Sequence, residues 1–261
     1  LISTPEMGIH GIIEFGNRLL TFVLAIIAIA MFVLLLRLRK ERPELFRLSI
    51  LLGLGIPGQA IIGGVTVLTN LNPYVVGLHY VLSLVLVILA SVLLYRVRRG
   101  PKRDSWGVPV AVRGLSAALM GVLSISLVMG VVTTGSGPHA GDGGAARNGL
   151  DSWLLQHFHA WPSYVVLGLI MTLIAITRAP ALAGDTLRRS ITGAGAVALV
   201  QIGLGLYQAR NGLPEWSVGL HMVLAAVLLA LVSTVLLSGR EVPTKEAVDR
   251  FPQPETATSG R

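Results

Sequence analysis

Seven stretches of this chain, at roughly 11–36, 48–69, 74–95, 109–133, 153–177, 190–209 and 216–238, are as long and as apolar as a bilayer crossing demands, about 20 residues each. Polar segments separate them: RLRKERPELFR, NLNP, RVRRGPKRDSW, TGSGPHAGDGGAARNGLD, RAPALAGDTLRR and RNGLPE. In hydrocarbon every backbone polar group needs an internal partner, so only helices and closed barrels can span. Barrel strands would be about 10 residues long with every second residue polar. These runs are longer and apolar on all sides, which predicts an all-α, polytopic helical membrane protein. Charged residues make up 13% of the chain, about half the share of a soluble domain, which excludes a water-soluble enzyme. The absence of cysteine excludes disulfides, thiolate zinc or iron–sulfur sites and a Cys nucleophile.

Position explains the formal charge of +8. Arg37, Arg39, Lys40, Arg42 and Arg47 follow the first span, and Arg96, Arg98, Arg99, Lys102, Arg103 and Arg113 surround the loop after the third. Arg178, Arg188 and Arg189 flank the fifth-to-sixth connection, and Arg240, Lys245, Arg250 and Arg261 lie in the tail. Eighteen of the 21 basic residues therefore share one side, against Arg147 and Arg210 on the other and Arg18 within the first span. The positive-inside rule makes the first side cytoplasmic. The chain is expected in the cell membrane, its first residues outside and its C-terminus in the cytoplasm. The basic charge orients the protein in lipid, and nucleic acid is excluded as a partner. The last 20 or so residues read as a disordered tail.

The chain also repeats itself. A shift of 142 residues lays Gln59 on Gln201, Gly63 on Gly205 and VGLH at 76–79 on VGLH at 218–221, with 14 identities over the 36 positions from 59 to 94. The same shift puts Asn17 on His159 and Glu14 on Gln156. The first three spans thus match the last three, and the fourth is without a counterpart. One further helix, preceding residue 1, would complete two equal halves.

Ionisable groups at membrane depth are costly and point to function. His79 and His221 lie about five residues, or roughly 8 Å, into their spans, and His159 about two turns into its own. Glu14, Asn17 and Arg18 share one helical face by their i, i+3, i+4 spacing. Imidazoles facing each other across a bundle suit axial ligation of haem iron; zinc and carboxylate-bridged iron are poorly served without cysteine and with one deep carboxylate. The alternative is that these are buried histidines bonded to neighbouring helices. His157 and His159 point about 200° apart on a helix, so one faces the core. The repeat chooses His159 and leaves His157 an interfacial or supporting group. His139 sits in a glycine-rich outer loop, either a solvated turn or a lid over a site, and His10 lies outside the first span. Glu14 either pairs with Arg18 or, with the raised pKa of a desolvated carboxyl, transfers protons. Arg18 could instead hold a haem propionate.

The segments IIEFGNRLLT at 12–21, GQAIIGGVTVLTNLNPYVVGLHYVLS at 58–83, VVTTGSGPHAGD at 131–142, LQHFHA at 155–160 and GLPEWSVGLH at 212–221 resemble haem A synthase of the family that oxidises haem O, over nearly all of residues 5–238. The resemblance implies two pseudo-symmetric four-helix bundles, with seven of the eight helices present. Residues 1–108 would form the substrate-haem half, residues 109–240 the haem b half, and 241–261 the tail. It implies an oxidoreductase that turns the C8 methyl of haem O into a formyl by successive hydroxylation, with haem b as cofactor and electron relay. His159 and His221 then ligate haem b, His79 ligates the substrate haem, and Glu14 is the carboxylate important for oxidation. The implied partners are the haem O substrate, membrane lipid, haem O synthase and a quinol or other electron donor; a homo-oligomer stays open. Many members carry E-x-x-H-R where this chain has Asn17, which points to a single-His substrate site with an open coordination position or to altered activity. The family's first helix, and an outer loop where many members carry a cysteine pair, are expected to be absent. Histidine spacing fits two other readings as well: a non-catalytic membrane cytochrome b fed by a quinol, and a haem-binding carrier.

Overall fold

The computed structural model describes residues 8–101, 104–138 and 145–241, and the side chains of 8–14 and of Pro180 fall outside that description. The helices are α1 (Gly8–Arg37), α2 (Pro43–Leu68), α3 (Pro73–Arg99), α4 (Val110–Ser136), α5 (Ser152–Ile176), α6 (Asp185–Arg210) and α7 (Glu215–Ser238). A 3₁₀ turn, Pro180–Leu182, precedes α6. Among the described residues there is no strand, and all seven helices are long and apolar enough to cross a membrane. The protein is an all-α, multi-pass membrane protein. The tail from 242 and the loop residues 139–144 lie outside the described residues.

Both α2 and α6 start about five residues before the apolar runs that announce them. Pro43, with its fixed φ and missing N–H, suits the first helical position. Glu44 and Asp185 place carboxylates in the first turns, where the helix dipole favours them. A count of apolar residues stops at the first charge, but backbone hydrogen bonding does not.

The chain divides into two compact units, Leu1–Pro101 and Lys102–Arg261. In the first, α2 packs against both α1 and α3. Its core is Leu35, Leu45 and Leu93, with Met31, Phe46, Leu48 and Leu52 against them. Arg42 fastens this end: its Nε donates to Glu44 Oε1 at 2.6 Å and an Nη to the Arg96 carbonyl near the end of α3 at 3.1 Å, a carbonyl that also accepts from the Gly100 N–H at 3.0 Å. Most of α1 is otherwise uncovered, with Phe22 68% exposed, as lipid allows, because lipid tails are as apolar as the side chains they meet.

In the second unit α4 packs on α5 and α7, and α6 on α5 and α7, which closes a ring of four. Leu119, Ile170, Leu173, Leu187, Ile191, Leu229 and Val232 are fully buried in it. Packing and interhelical hydrogen bonds hold such a ring together in lipid. The Ser126 and Ser163 hydroxyls meet at 2.7 Å between α4 and α5, and at Gly195 a Cβ would lie 3.0 Å from Ile174.

The 142-residue repeat recurs in the backbone. The limits of α2 and α6 differ by 142 at both ends, as do the starts of α3 and α7. The intervening turns share two backbone hydrogen bonds. Leu71 N–H donates to Thr66 O at 2.8 Å and Leu213 N–H to Gln208 O at 3.1 Å; Thr69 N–H reaches Val65 O, and Asn211 N–H reaches Tyr207 O, both at 3.0 Å. Leu71 and Leu213 adopt φ of 58° and 57°, a left-handed conformation costing an ordinary residue about 1–2 kcal/mol. The tight reversal between antiparallel helices imposes it in both copies.

Candidate functional site

The site in the second unit grows from two helices that lie diagonally across the ring. Asp151 caps α5 by accepting from the Trp153 and Leu154 amides at 2.8 and 3.2 Å, which places His159 two turns into the helix. His221 lies about as far into α7 from its start at Glu215. Their side chains meet in the middle, ring centroids 6.2 Å apart and planes inclined at 71°.

Each ring rests against a glycine of a flanking helix. A Cβ on Gly130 of α4 would stand 2.9 Å from His159 Cε1, closer than real Cβ contacts, and one on Gly205 of α6 would stand 3.7 Å from His221 Cε1. The His159 Nδ1–H donates to the Ser126 carbonyl of α4 at 2.9 Å. That bond settles the tautomer and leaves Nε2 with a free lone pair, the arrangement usual for a metal-bound histidine.

The spacing itself tests the fit to a haem. Two metal–nitrogen bonds of about 2 Å, with roughly an ångström from each nitrogen to its ring centre, would set two imidazoles sharing one iron about 6 Å apart, close to the 6.2 Å between these ring centres. Among the described residues no three His, Cys, Asp or Glu side chains converge, so the donor set is a histidine pair, the number an axially ligated haem takes. The residues fit the group.

The first unit holds the repeat's other copy. On α3, His79 faces Gly63 of α2, whose Cβ would lie 3.4 Å from His79 Cε1. Gln59 Nε2 donates to the His79 carbonyl at 3.3 Å, as Gln201 Nε2 does to the His221 carbonyl at 3.1 Å. Among the described side chains His79 is the sole histidine of its unit. The position matching His159 is Asn17 on α1, exposed like Arg18 beside it. Glu14 shares their helix register, but its side chain lies outside the described residues, as does that of His10, and His139 lies outside them altogether.

His157 turns away from the pair. Its Nδ1 bonds the Trp153 carbonyl at 2.8 Å, and its ring lies 4.3 Å from that of Trp153 and 6.4 Å from Trp161, an aromatic group suited to a membrane interface. The loop above the ring is tied at its base. Arg147 donates to the carbonyls of Pro138 and Ala145 at 2.6 and 3.0 Å, and Asn148 Nδ2 donates to the Val132 carbonyl at 2.8 Å.

Ser126 and Gly130 go unnoticed in the sequence because a backbone carbonyl and an absent side chain leave no motif. Gln59, Gln201, Gly63 and Gly205 do stand out there, but only as marks of duplication; their contacts with His79 and His221 give them a reason.

These features define a class: a multi-pass helical membrane protein with a histidine pair held inside a four-helix ring. A family model of cytochrome oxidase assembly proteins, COX15-CtaA, matches residues 2–233. The chain belongs to that family, the haem A synthase family. No curated protein and no solved structure matches it.

Proposed function

We propose that this protein is a haem A synthase, an oxidoreductase that converts the C8 methyl of haem O to a formyl group by successive hydroxylation. The observation that carries the reading is the His159–His221 pair, 6.2 Å apart across a closed ring. His159 and His221 would hold haem b, which when bound supplies an iron that exchanges single electrons. The Ser126 carbonyl keeps His159 Nε2 bare toward that iron. His79 would take the iron of the haem O substrate. With Asn17 at the position of a second histidine, that site would leave one coordination position open for chemistry.

Glu14, on the same helical face as Asn17, would accept and return protons as the methyl group is oxidised, a role for which a desolvated carboxyl is suited. Arg18 would hold a propionate, whose two oxygens match a guanidinium. By the positive-inside rule the C-terminus would lie in the cytoplasm and the histidine level toward the outer half of the cell membrane, within reach of a membrane-dissolved quinol as donor.

The test is to express the protein with a source of haem O and analyse the extracted haems. Haem A or its hydroxylated precursor is the expected product. Unchanged haem O beside a redox-active haem b would overturn the assignment in favour of a cytochrome b that passes electrons without transforming its haem.

A further inference from the structure

Of the three histidines described at the candidate sites, His159 alone has a protein partner for Nδ1. The Nδ1 atoms of His79 and His221 are buried without a hydrogen bond. So are two acceptors, the Oε1 atoms of Gln59 and Gln201. Buried polar atoms are rarely left unpaired, and here the orphans come as one ring nitrogen and one amide oxygen on the same helix pair, twice, 142 residues apart; with Nε2 as the ligand atom, the nitrogen is a donor.

The local chemistry fixes how they face. A backbone carbonyl accepts and never donates, so the bonds to the His79 and His221 carbonyls must come from Nε2. Each amide oxygen is thereby directed elsewhere. One turn further along the same helix, Gly63 and Gly205 face Cε1 of the same ring, and a Cβ on Gly63 would lie 3.9 Å from His79 Nδ1. Glutamine and glycine at i and i+4 thus form a single face of α2 or α6 against the histidine. With no direct bond from Oε1 to Nδ1, one water between them would satisfy both atoms.

We propose that Gln59 and Gln201 are positioning residues, each accepting the Nδ1–H of His79 or His221 through one buried water and so holding Nε2 bare for iron. The inference rests on the reading of those histidines as haem ligands and deepens it. The C-terminal unit thus orients its two ligands by different means, a backbone carbonyl for His159 and a water-linked amide for His221. A hydrogen bond at Nδ1 makes the ligand more basic and fixes its orientation, and losing such a partner typically costs about 10–100-fold in metal affinity.

The experiment uses the full chain loaded with haem b, and measures the haem midpoint potential and the rate of haem transfer to an excess of apomyoglobin. Gln201→Leu is expected to raise the potential and to speed haem loss by about 10–100-fold. Gln201→Glu, whose neutral carboxyl can both donate to the His221 carbonyl and accept through the water, is expected to restore retention and lower the potential relative to the leucine variant. Gln59→Leu, in protein loaded with haem O, is expected to speed the loss of that haem by about 10–100-fold. An unchanged potential and loss rate in Gln201→Leu would overturn the proposal. So would Gln201→Glu behaving as Gln201→Leu, which would make the residue merely structural. His221→Ala, run alongside, separates the two readings: if it retains the low-spin spectrum, the ligand assignment itself fails.

Discussion

In the C-terminal unit His221 looks across a closed ring at His159; in the N-terminal unit its counterpart His79 belongs to three helices, with Asn17 at the place matching His159. The glutamine, glycine and histidine contacts are the same in both, as is the turn that precedes the histidine helix. What differs is the company. In the second unit α4 brings the Ser126 carbonyl to His159 Nδ1, Gly130 to the face of its ring, and a serine hydroxyl to Ser163. In the first unit the hydroxyl one turn beyond Asn17, on Thr21, bonds only its own helix. The duplicated element therefore supplies one histidine per unit, and what sets the units apart is the repeat-equivalent position on the other helix: His159 in one, Asn17 in the other.

The contrast is sharpest at Glu14, which the second copy replaces with Gln156. If the N-terminal unit carries the chemistry, Glu14→Gln will lower formyl production by about 10²–10⁴-fold, the usual contribution of a positioned acid or base, and leave both haems bound. Near-normal conversion of haem O in the extracted haems would remove Glu14 from the reaction.

The glycines that receive the rings give a graded test. Gly130→Ala forces a contact of 2.9 Å on His159, and a displaced ligand is expected to weaken haem b retention by roughly tenfold or more. Gly63→Ala, at 3.4 Å from His79, should disturb only the substrate haem, and less severely. Gly205→Ala meets His221 at an ordinary 3.7 Å; the helix-propensity gain of alanine, about 1 kcal/mol, should then leave haem binding intact and stability equal or higher. Haem retention and thermal melting of the three variants in one detergent would check the order.

Asn17→His asks whether the units can be made alike. A second histidine there should convert the substrate haem to a more low-spin form and slow its oxidation by filling the open position. An unchanged optical spectrum would mean that residue 17 does not approach the iron.

The sequence discloses the helices, the repeat and the histidines because each follows from a cost that lipid imposes: long apolar runs, basic loops, and ionisable groups kept only where they have work. It is blind to what backbone supplies. Ser126 acts through its carbonyl and Gly130 through a missing side chain, and neither leaves a pattern in composition or spacing. The helix starts at Pro43 and Asp185 were hidden for a related reason, since hydropathy ends where charge begins and hydrogen bonding continues. Gln59 and Gln201 were visible, yet their contact with a carbonyl 20 residues on exists only once α2 meets α3 and α6 meets α7.

His159 and His221 would together hold one haem within the C-terminal unit. Optical and EPR spectra of the haem b-loaded protein, compared with His159→Ala, His221→Ala and His79→Ala, test it directly. Two imidazole ligands on one iron predict a low-spin ferric signal. That signal should vanish in His159→Ala and in His221→Ala and persist in His79→Ala. Its loss in His79→Ala, or its survival in either of the other two, would contradict the account.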